Sequence, residues 1–364
     1  MEEKSGFAFE PKVEVSRDSE AFLIPRPKVA VVIDSPTWAF ANIASQVSKH
    51  LSLEFEIRTI PVHVLDDFLQ LWFLVRDCDL VHFLWGNYLL ETLNTSDITF
   101  QNRFGISRNK FFETFVQNKK LTIGIFDHLH LDEESMNNRK DLYNSAIAGY
   151  TVSSLALKKI YDQIAIYPPP SAITQDGVDL QLFNNQSSKL DDIENRPLRV
   201  GWVGNSGWGQ NLNDPKGLVS ILKPALQMLK QKGKNIDFIL ADRSVKMIPR
   251  EEMPDYYRKI DVLICSSSME GTPNPVLEAM ATGCAIISTR VGIVPEVFGL
   301  EQQKFILTER SPDKMAEAIE VLDSDRNLIR KLSEENLRSV QAWSWERQSE
   351  KYARFFRKVL SAEK

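Results

Sequence analysis

The segment EGTPNPVLEAM, residues 270–280, carries two carboxylates, Glu270 and Glu278, with seven residues between them, among them a glycine and two prolines. Asn274 followed by Pro275 reads as a helix start, because Asn is a strong N-cap and proline suits the first helical position. The apolar run VLEAM continues that helix, which is expected to stop near Gly283. A helix start presents amide groups without intrahelical partners and the positive end of the dipole, which together attract phosphate. With prolines at 273 and 275, the donors on offer are the amides of Gly271, Thr272, Asn274, Val276 and Leu277. Glu278, one turn inside, repels phosphate but accepts hydrogen bonds from a vicinal diol such as a ribose. Glu270, ahead of the turn, reaches a sugar hydroxyl or a developing positive charge. The spacing thus describes a ligand with sugar at both ends and phosphate in the middle, a nucleotide sugar. Taken alone, either glutamate has a plainer role, Glu278 as a cap on its own helix and Glu270 as a solvated loop residue. The surroundings decide.

Those surroundings are alternating strands and helices. Strands are expected at KVAVVID (28–34), LEFEIRTI (53–60), DLVHFLW (79–85), LTIGIFD (121–127), YTVSS (150–154) and IAIYP (164–168), with helices at 40–51 and 64–77. The polar stretch 184–197 lacks apolar periodicity and reads as a linker. The pattern then restarts with strands at 198–204, 236–241, 260–266 and 284–289, and helices at about 215–232, after Asn274, and at 311–322, 325–340 and 344–360. Such alternation gives parallel sheets covered by helices on both faces. The fold class is therefore α/β, with two Rossmann-like doubly wound domains facing across a cleft. The division is an N-terminal extension (1–27), an N-terminal domain (28–190), a C-terminal domain (197–342) and a last helix (343–364) packing back on the N-terminal domain. In open parallel sheets ligands bind beyond the carboxyl ends of the strands, and the two-glutamate segment follows one such strand.

The 364 residues suit two domains, and 43% hydrophobic residues supply their cores. A net charge of −5 gives no global basic surface, so nucleic acid is not an expected partner. Cys78, Cys265 and Cys284 are scattered, without metal-ligand spacing or a disulfide framework, which favours a reducing compartment. The polar first twenty residues have no apolar signal region, and no uncharged apolar run approaches the roughly 20 residues that span a bilayer. The expectation is a cytoplasmic chain, either soluble or peripheral at the inner membrane face.

SSSMEGTPNPVLEAMATGCAIISTRVGIVPEV resembles the donor-binding region of family-4 glycosyltransferases, which have the two-domain GT-B fold and transfer sugar with retention and without a metal. MPDYYRKIDVLICSSS resembles the helix and strand that lead to that region, VGIVPEV resembles its G-x-P-E segment, and the likeness spans 198–300. It implies that Glu270 contacts the transferred sugar and Glu278 the ribose. The family carries a Gly-Arg pair after the first strand of this domain and a Lys-Gly pair at the next helix. Lys216-Gly217 matches the second pair, which implies a lysine balancing the charge of the leaving diphosphate. Asn205, followed by Ser206, stands where the arginine is usual; both are expected at the phosphates without charge, with Arg243 in LADRS as the replacement cation. Base recognition is expected in ADRSVKMI (241–248). DGVDLQLF (176–183) resembles the segment before the family's linker, with Gly177 in a turn.

The N-terminal half matches more loosely. The glycine pair expected after its first strand is missing from DSPTWAFANIA (34–44). The histidine usual after the TIGIFD strand falls near Asp127 and His128, so either of these is the catalytic candidate beside Glu270 and Lys216, while His82, within a strand, reads as structural. The implied activity is a retaining hexosyltransferase using a nucleotide-diphosphate sugar, with no cofactor or metal, and a glycan, lipid-linked or small-molecule acceptor. The missing glycines and arginine hold open a second reading, a binding subunit that kept the fold and lost turnover. A sugar-nucleotide epimerase fits the two-glutamate region less well. Finally, FQNRFGISRNKFFETFVQNKK (100–120) sets Arg103, Arg108, Lys110, Lys119 and Lys120 against Glu113 alone, with phenylalanines interleaved at helical spacing. That pattern suits an anionic membrane surface; it equally suits a helix whose stripe covers a sheet.

Overall fold

The computed structural model describes residues 25–37, 39–185, 190–209 and 212–362. Most of the N-terminal extension (1–24), and 186–189 of the linker, lie outside them. Six strands, β1 (Lys28–Ile33), β2 (Glu56–Pro61), β3 (Leu80–Phe83), β4 (Lys120–Ile125), β5 (Gly149–Val152) and β6 (Ala172–Ile173), form one parallel sheet in the order β2-β1-β3-β4-β5-β6. Four more, β7 (Leu198–Gly204), β8 (Ile236–Asp242), β9 (Val262–Cys265) and β10 (Ala285–Ser288), form a second parallel sheet in the order β10-β9-β7-β8. The central strands read as continuous apolar runs because helices cover both faces; β3, β9 and β10 are buried at every position. In each sheet the chain order reverses beside the first strand, between β1 and β3 and between β7 and β9. Loops leaving adjacent strands there diverge to opposite faces and open a crevice.

Two expected elements differ. Residues 64–77 do not form one helix but short turns at Val62–Val64 and Phe68–Gln70 and a four-residue helix, Leu71–Leu74. Asp67 accepts the Leu69 amide at 3.0 Å and starts a fresh turn, and Leu69, Leu71, Trp72 and Val75 are all buried, so the segment threads the core instead of lying on it. Residues 164–168 are irregular. Pro168–Pro170 supply no ladder donors, and pairing with β5 resumes only at Ala172–Ile173.

The chain crosses between the domains twice, and the crossings pair. Val178 donates to the Trp343 carbonyl at 2.9 Å, and Trp345 returns a bond to the Val178 carbonyl at 3.2 Å. Gly177 lies against the Trp345 backbone, where a Cβ would come within 2.7 Å of its nitrogen, so glycine is required. The last helix, Trp345–Ser361, then packs on the N-terminal sheet beside helix Ala39–Leu51, burying Tyr352, Phe355 and Phe356 against β1 and β3. His82 sits under these rings, bonded through Nδ1 to the Thr122 hydroxyl at 2.9 Å. Full burial pushes its pKa down to about 3, so it is a neutral core residue.

The 100–120 stretch forms helices Asp97–Phe104 and Arg108–Phe115. Phe100 and Phe111 are fully buried, and Phe104, Phe112 and Phe115 pack on the same core. Its charges are engaged as well: Arg103 with Asp67, Arg108 with the Leu93 carbonyl, Lys119 with the Arg76 carbonyl and Lys120 with the Ala362 carbonyl. The phenylalanine stripe is turned inward to the sheet, not outward to a membrane. No described helix is long and apolar enough to cross a bilayer.

Candidate active site

The loops after β7, β8 and β9 meet on one side of the interdomain cleft. Asp214 accepts the amides of Gly217, Val219 and Ser220, at 3.0, 2.9 and 2.6 Å, and so caps the helical segment that starts at Leu218. Burial alone would raise the Asp214 pKa; the bonds from Ser220, Val219 and Gly217 outweigh it and hold the carboxyl below its ordinary value. Gly217 adopts φ +70°, and a side chain there would collide with the Ser266 carbonyl, so only glycine lets the β7 and β9 loops approach. Arg310 ties the same two loops, donating to the carbonyls of Ser266 and Asp214 at 2.9 and 2.7 Å. This scaffold holds Lys216 with its Nζ 2.7 Å from Glu270 Oε1 and 5.0 Å above the Trp208 ring. The Ser267 hydroxyl donates to the same Glu270 oxygen at 2.7 Å. Lysine and glutamate thus face the cleft as a preset ion pair.

The helix opening the two-glutamate segment runs Asn274–Ala281 and ends before Gly283, which has φ +73°. Its start differs from expectation. Asn274 is the first helical residue rather than the N-cap, and its side-chain amide donates to Asp176 Oδ2 at 3.3 Å. The Val276 amide is also committed, to the Pro273 carbonyl at 2.8 Å, while the Val276 and Leu277 side chains lie in the core. Asp176 is buried between the domains, and its backbone amide bonds the Thr272 hydroxyl at 3.4 Å. Burial raises its pKa to about 7, against the lowering effect of the Asn274 bond.

Glu278 is buried one turn in, with Arg250 donating to Oε1 at 3.0 Å and the Tyr257 hydroxyl donating to Oε2 at 2.7 Å. Burial raises its pKa, and Arg250 and Tyr257 offset the rise. Glu278 and Arg250 line a cavity of about 500 Å³ together with Lys246, Met247 and Ile248. Lys216 and Glu270 line a neighbouring one of about 390 Å³. The two share Gly204, Arg243, Asn274 and Pro275, so they form one groove with a carboxylate near each end and the helix start between.

Two candidate phosphate residues are otherwise occupied. The Ser206 hydroxyl donates to Asp242 at 2.6 Å and lies 2.7 Å from the Ser244 hydroxyl. Asp242 gathers further bonds from both serines, which hold its pKa low although burial works the other way. Asn205 turns its side-chain oxygen onto the Gly207 amide at 3.0 Å while still lining the groove. Arg243 spans the cleft to the Thr37 carbonyl at 3.1 Å.

The opposite wall comes from the N-terminal domain. A cavity of about 260 Å³ is lined by Asp127, Trp85, Phe126 and a tyrosine group, and it shares Ala39 and Trp208 with the groove. Of the two catalytic candidates, Asp127 lines this cavity, its carboxylate accepting the Leu129 amide at 3.0 Å. His128 is exposed and does not line it; His130, held at φ +61°, does. Between Phe126 and Leu131 every residue but His128 lines the cavity. Gly271 abuts the Phe126 carbonyl and Ser153, so a side chain at 271 would push the walls apart. Glu296 straps the domains together, accepting the Leu155 amide at 2.8 Å and the Gln175 side-chain amide at 2.6 Å. Trp208, Arg250, Tyr257, Asp176 and Glu296 escaped sequence reasoning. Trp208 is an aromatic in a glycine-rich loop, and Asp176, Tyr257 and Glu296 lie in the resembling segments DGVDLQLF, MPDYYRKIDVLICSSS and VGIVPEV, whereas Arg250 carries no local signal.

Residues 215–338 match the family model "Glycosyl transferases group 1". The chain is 26% identical over 209 residues to the MMP alpha-(1->4)-mannosyltransferase of Mycolicibacterium hassiacum, covering 54% of this chain and 50% of that protein. It spans half or less of the length of the curated relatives it matches. Among solved structures, sucrose-phosphate synthase from Thermosynechococcus elongatus superposes with a TM-score of 0.66 at 14% identity, over 93% of this chain and 100% of that one. HepE from Anabaena, in complex with UDP, gives 0.64 at 13% identity over 91% and 100%. The two-sheet architecture is the GT-B fold.

Proposed function

We propose that this chain, whose residues 215–338 match the family model of group 1 glycosyl transferases, transfers a sugar from a nucleoside-diphosphate sugar to an acceptor held by the N-terminal wall. The observation that carries this reading is the single groove with Glu270–Lys216 near one end, Glu278–Arg250 near the other, and the start of helix Asn274–Ala281 between them. Glu278 takes the ribose hydroxyls, sharing its oxygens with Arg250 and Tyr257. The base lies toward Lys246, Met247 and Ile248. The diphosphate crosses the helix start, where amides and dipole favour it. Lys216 swings from Glu270 to the departing phosphate, leaving Glu270 for the transferred sugar. The Lys216 charge thus acts where negative charge develops and needs no metal for that role. The resemblance around Glu270 and Glu278 supports transfer with retention of anomeric configuration. Asp127, on the facing wall, orients the acceptor hydroxyl.

The test is a panel of nucleotide sugars assayed for nucleoside diphosphate release, with and without a chelator, and the product anomer read by NMR. Release that survives the chelator and disappears in Glu270→Gln supports the proposal. Nucleotide binding without release, under every acceptor supplied, would favour a binding subunit instead.

A further inference from the structure

The acceptor cavity does not end at its aromatic wall. Beyond the end that meets the donor groove at Ala39 and Trp208, it shares Asn87 and Arg139 with an open groove running past Phe68, Leu90 and Glu91. Arg139 stands at that junction. It is half-buried, with Nη2 3.3 Å from Asn87 Oδ1 and Nη1 3.3 Å from the Ser135 carbonyl, both long bonds to neutral oxygens. Among the described residues no carboxylate lies within ion-pair distance of it, and its guanidinium carries further N–H groups that these two bonds do not use.

A guanidinium half withdrawn from water beside apolar walls loses hydration that only a counter-charge restores in full. The neighbouring phenols do not supply one: burial raises the pKa of Tyr143, Tyr161 and Tyr167, and they stay neutral. Nor do the carboxylates of the cavity. Asp34 follows β1 and bonds the Ser35 amide, and Asp127 adjoins Phe126, whose carbonyl touches Gly271 at the donor side. The cavity thus holds two carboxylates, Asp34 and Asp127, an aromatic group in which Tyr143 stacks on Tyr167 at 4.0 Å, and a cation, Arg139, where it opens into the groove that Glu91 also lines.

We propose that Arg139 is a specificity-determining residue that binds an oxyanion on the acceptor, a phosphate or carboxylate set one ring's width from the hydroxyl that receives the sugar. The proposal rests on the reading of this wall as the acceptor side. The ring of such an acceptor lies against the tyrosines, its hydroxyl meets Asp127, and whatever follows the anion leaves by the open groove. A planar guanidinium suits either oxyanion because two parallel N–H groups match two oxygens.

The experiment measures binding of phenyl phosphate, benzoate and benzyl alcohol by titration calorimetry, and of phosphatidic acid vesicles by co-sedimentation. The parent is compared with Arg139→Gln and Arg139→Lys, and each protein is titrated with UDP and GDP. We expect at least one anion to bind the parent more tightly than benzyl alcohol does. Arg139→Gln should weaken that anion about tenfold or more, with Arg139→Lys between the two, because losing a hydrogen bond to a charged group has about that effect. Phenyl phosphate or benzoate as the Arg139-dependent ligand identifies a soluble phosphate or carboxylate acceptor; vesicles alone identify a lipid phosphate. Unchanged nucleotide affinity and circular dichroism show that the variants fold. Failure of all three anions to bind the parent, anion affinity unchanged in Arg139→Gln, or benzyl alcohol binding as tightly as the anions overturns the proposal. Loss of nucleotide binding beside intact, Arg139-dependent anion binding strikes the donor reading alone.

Discussion

The two walls of the cleft share a topology and differ in chemistry. Both are built from loops at the reversal point of a parallel sheet. The C-terminal wall is a network of satisfied charges: Lys216 with Glu270, Arg250 and Tyr257 with Glu278, and Asp242 with two serines. The N-terminal wall is aromatic, its charges few and lying near its ends. A wall of paired charges fixes where a highly charged, invariant partner sits, and exchanges one charge partner for another when that partner arrives. A wall of rings selects by shape and tolerates variation along the plane of contact. On the proposed function the same architecture serves two kinds of recognition, and the loops decide which.

The sharpest way to break this contrast is to remove the charge exchange. Lys216→Ala and Glu270→Gln are each expected to lower nucleoside diphosphate release about 10²–10³-fold, in the range seen when one preorganised stabilising group is lost. Folding, followed by circular dichroism, should be unaffected. Release at the parent rate in Lys216→Ala would show that the paired wall takes no part in turnover.

A second test concerns the residue that joins the walls. Asp176 has a folded pKa of about 7, above the value near 4 of an unfolded aspartate. Between those values the native state keeps a proton that the unfolded state has lost, so this group's contribution to stability falls as pH rises from about 4 to about 7 and is level above. Asp176→Asn removes that loss. Its gain in stability by urea unfolding should be on the order of 2 kcal/mol larger at pH 8 than at pH 5. A gain that does not change with pH would mean that Asp176 is ionised throughout.

Within the C-terminal wall, Glu278→Gln should weaken nucleoside diphosphate binding about tenfold, or about 1.4 kcal/mol, and leave benzoate or phenyl phosphate binding unaltered. Equal losses for both ligand classes would erase the division of labour between the walls. The smallest effect is expected at the strap. Glu296→Ala frees the Leu155 amide at the start of helix Leu155–Tyr161 and should lower stability by about 1 kcal/mol, the usual worth of a helix cap. A matching rise in the radius of gyration by small-angle scattering would show that the strap holds the walls together, and a melting temperature identical to the parent's would show that it does not.

The sequence by itself determined the features that are local. The mainly apolar runs within 28–34, 198–204, 260–266 and 284–289 suit buried parallel strands, because strands covered on both faces read as near-continuous apolar runs. Glu270 and Glu278, by their spacing about a helix start, and Lys216, by resemblance to a Lys-Gly pair, point to residues that line one groove. Only the tertiary structure decided the partners. Asn274 looks like a cap until Asp176, from a crossing segment 98 residues away, takes its side chain. Ser206 looks like a phosphate ligand until the β8 loop brings Asp242 to it. Nothing in 64–77 announces that a helical pattern will be broken and threaded through the core, and the 100–120 stripe suits a membrane and a sheet equally until Phe73 and Phe111 meet. Period and turn chemistry are written within a few residues. Which hydrogen-bond donor meets which acceptor depends on where loops from distant strand ends come to lie, and that depends on the packing of the whole chain.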